Sequence, residues 1–123
     1  MAGNEKLVFM VLHGPKEPEH ATIPFVMACA ALGSDVDVVI GLQADGVQLG
    51  RIGGVDNVEA AGFPPLKRLI ADFQALGGRL LVCGVCLDSR GIVAPDQLIA
   101  GADVVGAYRF IAEITSATNS LVY

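Results

Sequence analysis

Positive charge is scarce in this chain. Eight lysine and arginine residues stand against thirteen aspartate and glutamate residues, which gives a formal net charge of −5. The basic residues are scattered along the sequence, and only Lys67 and Arg68 are adjacent. Because a nucleic-acid site or an anionic membrane site needs clustered positive charge, we predict no nucleic-acid partner and no membrane partner.

Long apolar runs are absent as well. No run approaches the ~20 residues that a membrane-spanning helix requires. Residues 1–6, MAGNEK, do not have the layout of a signal peptide. We therefore expect a cytoplasmic protein. Three cysteines in a cytoplasmic chain also argue against a disulfide framework.

Apolar residues are abundant, since they make up 53% of the 123 residues while only 17% are charged. Ordinary domains have roughly a quarter of their residues charged. A parallel sheet covered on both faces would explain this composition, and so would an oligomer that hides apolar surface; we expect both. The length, with no linker and no repeat, predicts one domain over residues 1–123.

Five short apolar segments predict the strands of a mostly parallel sheet. They are residues 6–12, 35–42, 79–83, 103–107 and 119–123. Helical patterns lie between them. The clearest pattern runs from Pro64 to Leu76, where apolar residues recur at spacings of three and four and the pair Gly77-Gly78 provides the stop.

The other predicted helices cover residues 22–32, 45–51, 95–100 and 108–117. Because a proline inside a helix, here Pro24, costs about 3 kcal/mol, the first of these starts near Thr22, or it starts as early as Glu19 and is kinked. Strands that alternate with helices indicate βαβ units with right-handed crossovers, which place helices on both faces of the sheet. The predicted fold is therefore α/β, a three-layer α/β/α sandwich with about five strands.

Cys83 and Cys86, three residues apart, are the most informative feature of the chain. If residues 79–83 form a buried strand, Cys83 lies at its carboxyl end and a polar turn follows. In an open α/β sheet that end faces the binding crevice. A thiol there is exposed enough to react and close enough to a helix start to be ionised. Cys29 lies in an apolar helix, and we interpret it as a core residue.

The residues leave four interpretations of the cysteine pair open. Both cysteines belong to the core, or they form a redox dithiol of thioredoxin type, or they bind a metal, or Cys83 carries sulfur as a persulfide. The chain has no tryptophan before the motif and no second Cys-x-x-Cys, which weakens the thioredoxin and structural-zinc interpretations. A sulfur carrier needs one accessible thiolate and no cofactor, and Cys86 would act as its resolving thiol.

Residues 82–92, VCGVCLDSRGI, resemble the cysteine motif of the DsrE/DsrF-like family. Residues 11–15, VLHGP, with 21–22, AT, are similar to its first strand-to-helix turn, and residues 62–66, GFPPL, to the segment before its central helix. The resemblance runs from about residue 6 to residue 123. It implies an α/β sandwich that assembles as trimers or hexamers, in a family that includes sulfur-relay subunits of TusD type and small stand-alone proteins.

The resemblance also implies a carrier cysteine at Cys83, eight residues before Gly91. The relay subunits lack a second cysteine at the place of Cys86, so this chain is more similar to the stand-alone proteins. A dedicated role in transfer-RNA thiolation or in sulfur oxidation is therefore not carried over to it.

Further candidate residues follow the predicted strands. His13 follows the first strand, where a protonated imidazole would stabilise a thiolate; a solvated loop histidine is the alternative. Gln43 follows the second strand and would line the same crevice. Arg90 would attract a thiolate or a bound anion, or would anchor the turn by pairing with Asp88. Asp45 would cap the short helix over residues 45–51.

We therefore predict a cytoplasmic homo-oligomer that accepts sulfur on Cys83 from a donor protein and passes it to an acceptor thiol, with no cofactor and no metal. Tyr108 and Arg109 would line a subunit interface or the pocket. Two alternatives stay open. One is a non-catalytic module that binds a small molecule or serves assembly, and the other is a thiol–disulfide oxidoreductase that uses the Cys83–Cys86 pair.

Overall fold

The computed structural model describes residues 5–123. Within these residues the chain forms a five-stranded sheet. Its strands are β1 (Lys6–Val11), β2 (Asp37–Leu42), β3 (Arg79–Cys83), β4 (Ala102–Val105) and β5 (Asn119–Val122). The strand order is β4-β3-β2-β1-β5, and each neighbouring pair is parallel. All the carboxyl ends of the strands therefore lie at the same end of the sheet.

Helical segments connect the strands. They are α1 (Pro18–Gly33), α2 (Leu66–Ala75), α3 (Gly84–Asp88), α4 (Ala107–Thr115) and a 3₁₀ helix (Ala44–Gly50) that follows β2. Successive strand residues point to opposite faces of the sheet. Phe9 and Val11 of β1 belong to the core that α1 and α2 cover, whereas Val8 and Met10 pack with Phe110 of α4. Helices thus cover both faces, and the predicted α/β/α sandwich is confirmed.

The larger core lies between the sheet and the pair α1 and α2. Phe25 of α1 and Phe73 of α2 are fully buried and meet edge to face, with ring centroids 5.6 Å apart and an interplanar angle of 88°. Burial of each ring stabilises the fold by about 1.5–3 kcal/mol. This packing fixes the strands whose carboxyl ends carry the cysteines.

α1 begins at Pro18, four residues before the predicted start, and it contains Pro24. Pro18 lies in the first turn, where a backbone N–H has no partner within the helix. The N–H that Pro24 lacks would bond to the carbonyl of His20, an exposed residue of that first turn. Pro24 therefore removes a bond only near the helix end, and of the two predicted alternatives the start near Thr22 was wrong.

Residues 95–100 do not form the predicted helix. The carbonyl of Gln97 accepts a hydrogen bond from the N–H of Ile52 at 2.8 Å, and the N–H of Ile99 donates to the carbonyl of Gly50 at 2.9 Å. These bonds use backbone groups that a helix would need. Residues 84–88 form α3 directly after β3, and the predicted polar turn follows at residues 89–91.

At the amino end of the sheet, the buried Glu113 of α4 meets three basic side chains. Its carboxylate lies 2.6 Å from Nζ of Lys6, 2.7 Å from Nε of Arg109 and 3.3 Å from Nη1 of Arg79. Burial by itself raises the pKa of Glu113. The hydrogen bonds from Lys6 and Arg109 and the charge of Arg79 outweigh burial and hold that pKa at about 2. We call these four residues the Glu113 cluster.

No helix within residues 5–123 combines the length and the apolar character that crossing a membrane requires. The expectation that the chain has no signal peptide rests in part on residues 1–4, which lie outside the described residues.

Candidate functional site

The carboxyl end of the sheet brings together three segments that are distant in sequence. β3 ends at Cys83, β2 is followed by Gln43, and β1 leads into the turn that holds His13. The N–H of Gln43 donates to the carbonyl of Val11 at 3.1 Å and joins the β1 and β2 ends. The half-buried side chains of His13, Gln43 and Cys83 thus lie at the end of the sheet where α/β proteins bind ligands.

Cys83 is the last residue of β3 and directly precedes α3, and its side chain is half-buried against both cores. Burial raises the pKa of the Cys83 thiol, and its hydrogen bond with the Cys86 side chain and the charge of Cys86 raise it further. The backbone amides of Cys86 and Val85 lower the pKa without offsetting these effects. The expectation that a helix start ionises this thiol was therefore wrong, since α3 has only five residues and burial dominates.

Cys86 lies one turn into α3 and is held from the β2 side of the site. The backbone N–H of Ala44 donates to its Sγ at 3.2 Å. Ala44 has a φ of 50°, a left-handed conformation that costs a residue with a Cβ about 1–2 kcal/mol. The strained turn after β2 thus directs a backbone amide at the sulfur atom of Cys86.

Arg90 joins α3 to the 3₁₀ helix. Its Nε lies 3.4 Å from Oδ1 of Asp45, and its Nη1 donates to the carbonyl of Cys86 at 3.2 Å. The predicted pairing with Asp88 is therefore replaced by an ion pair with Asp45, 45 residues away in sequence. Asp45 makes no capping hydrogen bond to the 3₁₀ helix, so its predicted role as a cap was wrong.

The turn after β1 packs closely against the 3₁₀ helix. A Cβ added at Gly14 would lie 2.5 Å from the backbone oxygen of Asp45, and one at Gly46 would collide with the backbone oxygen of Val11. Only glycine fits at these two positions, because the neighbouring atoms belong to the backbone and do not yield easily. The close approach fixes Ala44 and Asp45 relative to β1.

His13 faces the start of α1 and stacks on His20, with ring centroids 4.8 Å apart and an interplanar angle of 26°. Its Nδ1 is buried and makes no hydrogen bond within residues 5–123. The structure therefore brings His13 to the correct end of the sheet but records its contact with His20 rather than with a cysteine.

Cys29 lies apart from the other two cysteines, between α1 and α2. Its Sγ contacts the carbonyl of Leu69 at 3.6 Å, and burial, together with the negative charge of Asp72, raises the pKa of its thiol. It packs against the larger core, as predicted. In the part of the chain that the structure describes, no group of three histidine, cysteine, aspartate or glutamate side chains is placed to hold a metal ion.

Sequence reasoning gave Asp45 a different role and missed Ala44 altogether. The signal in the sequence is local, since Ala44-Asp45-Gly46 directly follows a strand that ends in a crevice. Such turns commonly carry functional residues. Nothing in the sequence indicates that the partners would be Cys86 and Arg90, because those contacts join segments more than 40 residues apart.

Comparison with known proteins places this geometry in context. The model of the DsrE/DsrF-like family matches residues 5–123. Among the curated proteins, the uncharacterized protein MJ0760 of Methanocaldococcus jannaschii is 31% identical over 107 residues, which make up 87% of this chain. The chain spans only 38% of the length of that relative.

Two solved structures share the fold. The crystal structure of the ychN protein from E. coli matches with a TM-score of 0.80 and 20% identity, and the match covers 97% of this chain and 99% of that one. MTH1491 from Methanobacterium thermoautotrophicum matches with a TM-score of 0.69 and 18% identity, over 95% and 98% of the two chains. At these sequence identities, the two matches show a shared fold and nothing about function. Because the family model extends over the whole described chain, this protein belongs to the DsrE/DsrF-like family.

Proposed function

We propose that this protein is a sulfur carrier that holds a persulfide on Cys83 and passes its outer sulfur to an acceptor thiol. One observation carries the proposal, namely the two free thiols, three residues apart, at the carboxyl end of β3, where the Ala44 amide donates to Sγ of Cys86. Membership in a family whose fold is related to sulfur relay supports it.

The proposed cycle needs no cofactor and no net oxidation. The Cys83 thiolate attacks the outer sulfur of a donor persulfide, the donor sulfur–sulfur bond breaks, and the donor leaves as a thiolate with the bonding electron pair. An acceptor thiolate then attacks the outer sulfur now bound to Cys83, and Cys83 leaves as a thiolate. Because the pKa of Cys83 is raised, a proton must first be removed from its thiol.

Cys86 would end the cycle when no acceptor arrives. Its thiolate would attack the inner sulfur of the Cys83 persulfide, releasing hydrosulfide and forming a Cys83–Cys86 disulfide. The Ala44 amide contacts this sulfur and holds it at the β2 side of the site. In this role Cys86 protects the carrier from holding an unused persulfide, and a thiol reductant would restore it.

The carrier is proposed to be a cytoplasmic homo-oligomer, a trimer or a hexamer, that meets donor and acceptor proteins. Tyr108 is 96% exposed, Ile111 of α4 is 58% exposed and Val104 of β4 is 46% exposed. Exposed apolar side chains of this size favour burial against another surface. Light scattering of the eluted protein tests the assembly: Tyr108→Glu should lower the oligomer mass, whereas the control Leu76→Glu, on α2's side of the molecule, should not.

The test of sulfur carriage is peptide mass spectrometry after incubation with a persulfidated donor. Wild type is compared with Cys83→Ala, Cys86→Ala and the control Cys29→Ala. We expect one added sulfur atom on Cys83 in Cys86→Ala, which cannot form the disulfide, and none in Cys83→Ala. Wild type and Cys29→Ala should show either the added sulfur or, after release of hydrosulfide, the Cys83–Cys86 disulfide. A loss of two hydrogens across the pair in wild type, with no sulfur on Cys83 in Cys86→Ala, would favour the oxidoreductase. No change at either cysteine would favour the binding or assembly module.

A further inference from the structure

Two basic side chains of this acidic chain have no acidic partner within residues 5–123, and both line the same cleft. All eight lysine and arginine residues lie within residues 5–123. Six of them have a carboxylate oxygen within 4.0 Å. Among the residues that the structure describes, Lys16 and Arg51 find none. The cleft that they share has a volume of about 260 Å³, and Pro15, Asp45 and Gln48 complete its lining.

Arg51 is positioned rather than free to move. Its Nε donates to Oε1 of Gln48 at 3.0 Å, and its backbone forms an antiparallel bridge with Leu98. The Nε–H of the guanidinium group is thus used by a hydrogen bond within the protein. Its terminal nitrogens remain for a ligand, and an arginine held in this way suits the two oxygens of a carboxylate.

The charge around the cleft favours an anion. The one carboxylate in its lining, that of Asp45, is already paired with Arg90 at 3.4 Å. The lining thus holds two basic side chains, Lys16 and Arg51, and one carboxylate that Arg90 already pairs, although the whole chain carries a formal charge of −5. A local excess of positive charge concentrates small anions at such a surface.

The cleft adjoins the cysteine pair. Asp45 in its lining directly follows Ala44, whose amide contacts Sγ of Cys86 at 3.2 Å. Arg90 also links the cleft to the cysteine pair, since it contacts both the Asp45 carboxylate and the Cys86 carbonyl. The cleft is smaller than the roughly 300–1,000 Å³ of pockets that enclose drug-sized ligands, so its occupant is a small molecule.

We propose that the Lys16–Arg51 cleft binds the carboxylate of a small organic persulfide and presents the outer sulfur of that molecule to the cysteine pair. This inference rests on the proposed sulfur carriage and adds a small-molecule donor to the donor protein proposed above. A cysteine thiolate attacks the outer sulfur, and the sulfur–sulfur bond of the donor breaks as a new one forms on the protein. The donor leaves as a thiolate with the electron pair, so no oxidant or reductant takes part.

Two matched donors test the cleft. Cysteine persulfide carries the carboxylate, and cysteamine persulfide is the same molecule without it. We expect the double variant Lys16→Gln/Arg51→Gln to load sulfur about tenfold more slowly than wild type from cysteine persulfide, and at nearly the wild-type rate from cysteamine persulfide. The control Lys67→Gln/Arg68→Gln, on the exposed side of α2, should match wild type with both donors. Equal loss with both donors, or no loss with either, would overturn the proposal.

A binding measurement separates this inference from the proposed function. The variant Cys83→Ala/Cys86→Ala is titrated with S-methylthio-cysteine, which keeps the carboxylate and the disulfide but finds no thiol to react with in the site. We expect saturable shifts of the Gly46 and Gln48 amide resonances, lost when Lys16→Gln/Arg51→Gln is added. If wild type takes no sulfur from either donor but these shifts occur, the proposed sulfur carriage is wrong, whereas carboxylate binding in the cleft is supported. Absence of the shifts means that the cleft does not bind carboxylates.

Discussion

The two ends of the sheet favour opposite charge states of a titratable side chain, the ionised form of Glu113 at the amino end and the neutral form of Cys83 at the carboxyl end. At the amino end, three cations surround Glu113 and hold its pKa at about 2 despite burial. At the carboxyl end, burial raises the pKa of Cys83, and the neighbouring thiol adds to that effect rather than opposing it. The buried charge of Glu113 is thus paired with cations. The Cys83 thiol, in contrast, stays neutral and would have to lose its proton in order to react.

This difference separates a stabilising site from the site proposed to react. A buried carboxylate whose partners are in place adds stability to the fold, because the unfolded chain loses those partners. A buried thiol with a raised pKa adds no such ion pair, but as a thiolate it is a nucleophile. We therefore expect substitutions in the Glu113 cluster to change stability and substitutions at the cysteines to change sulfur chemistry.

The largest expected effect is that of Cys83→Ala on sulfur loading. It should abolish loading while lowering the free energy of unfolding by only about 1 kcal/mol, since a half-buried thiol is a small side chain. Mass spectrometry and urea unfolding measure the two quantities. Glu113→Gln is the reciprocal variant and should keep full loading per folded molecule; loss of loading in it would remove the distinction between the two ends.

The second effect is the pH dependence of Cys83 alkylation. Because the raised pKa keeps this thiol protonated at neutral pH, its rate should rise about tenfold per pH unit between about pH 7 and about pH 9. Cys86→Ala removes the hydrogen bond and the charge that raise the pKa, so its profile should move to lower pH. A rate that is flat from neutral pH upward would show that Cys83 is already ionised.

The third effect is the loss of stability in Glu113→Gln. The pKa shift from 4.5 to about 2 corresponds, at about 1.4 kcal/mol per unit, to about 3 kcal/mol of stability. We expect the variant to lower the free energy of unfolding by about 2–3 kcal/mol, because Arg79 and Arg109 are partly solvated. The control Glu59→Gln, an exposed residue, should change it by less than about 0.5 kcal/mol.

The same variant has a pH signature with a definite sign. The folded pKa of Glu113 is below the unfolded value, so its contribution is fully present above pH 4.5 and is lost as the pH falls toward about 2. The difference in unfolding free energy between wild type and Glu113→Gln should therefore shrink over this window. A constant difference would mean that the cluster acts through packing rather than through charge.

The smallest effect concerns the turn that directs the amide at Cys86. Ala44→Gly should raise the free energy of unfolding by about 0.5 kcal/mol, because glycine adopts the left-handed conformation without strain. Sulfur loading should not change, since glycine keeps the N–H. The same substitution at Ala30, in the exposed interior of α1, should lower stability by about 1 kcal/mol. Destabilisation by Ala44→Gly would show that the turn is not strained.

Much of the fold was predictable because it depends on local patterns. β3 lies at the predicted residues 79–83, and the other strands agree within one or two residues, since continuous apolar segments have few alternatives in a small α/β domain. α2 follows the same logic of periodicity. The helix predicted for residues 95–100 was wrong because their backbone forms hydrogen bonds with the chain near Gly50. A local sequence pattern carries no information on such a contact.

The site was predictable only in part. The position of Cys83 at a strand end follows from β3 itself, and His13 and Gln43 follow from the parallel arrangement of β1 and β2. The direction of the pKa shift of Cys83 could not be predicted from the sequence, because it depends on how deeply two cores bury the thiol. The Arg90–Asp45 pair was equally hidden, since it forms only when α3 meets the 3₁₀ helix.

Transfer of the sulfur atom tests the central claim most directly. Cys83 is loaded with radioactive sulfur from a persulfide, the excess donor is removed, and an acceptor thiol such as N-acetylcysteine is added to wild type and to Cys86→Ala. We predict that the label leaves Cys83 and appears as a persulfide of the acceptor in both proteins. Label that stays on the protein, or that leaves only as hydrosulfide with formation of a Cys83–Cys86 disulfide, would contradict sulfur carriage.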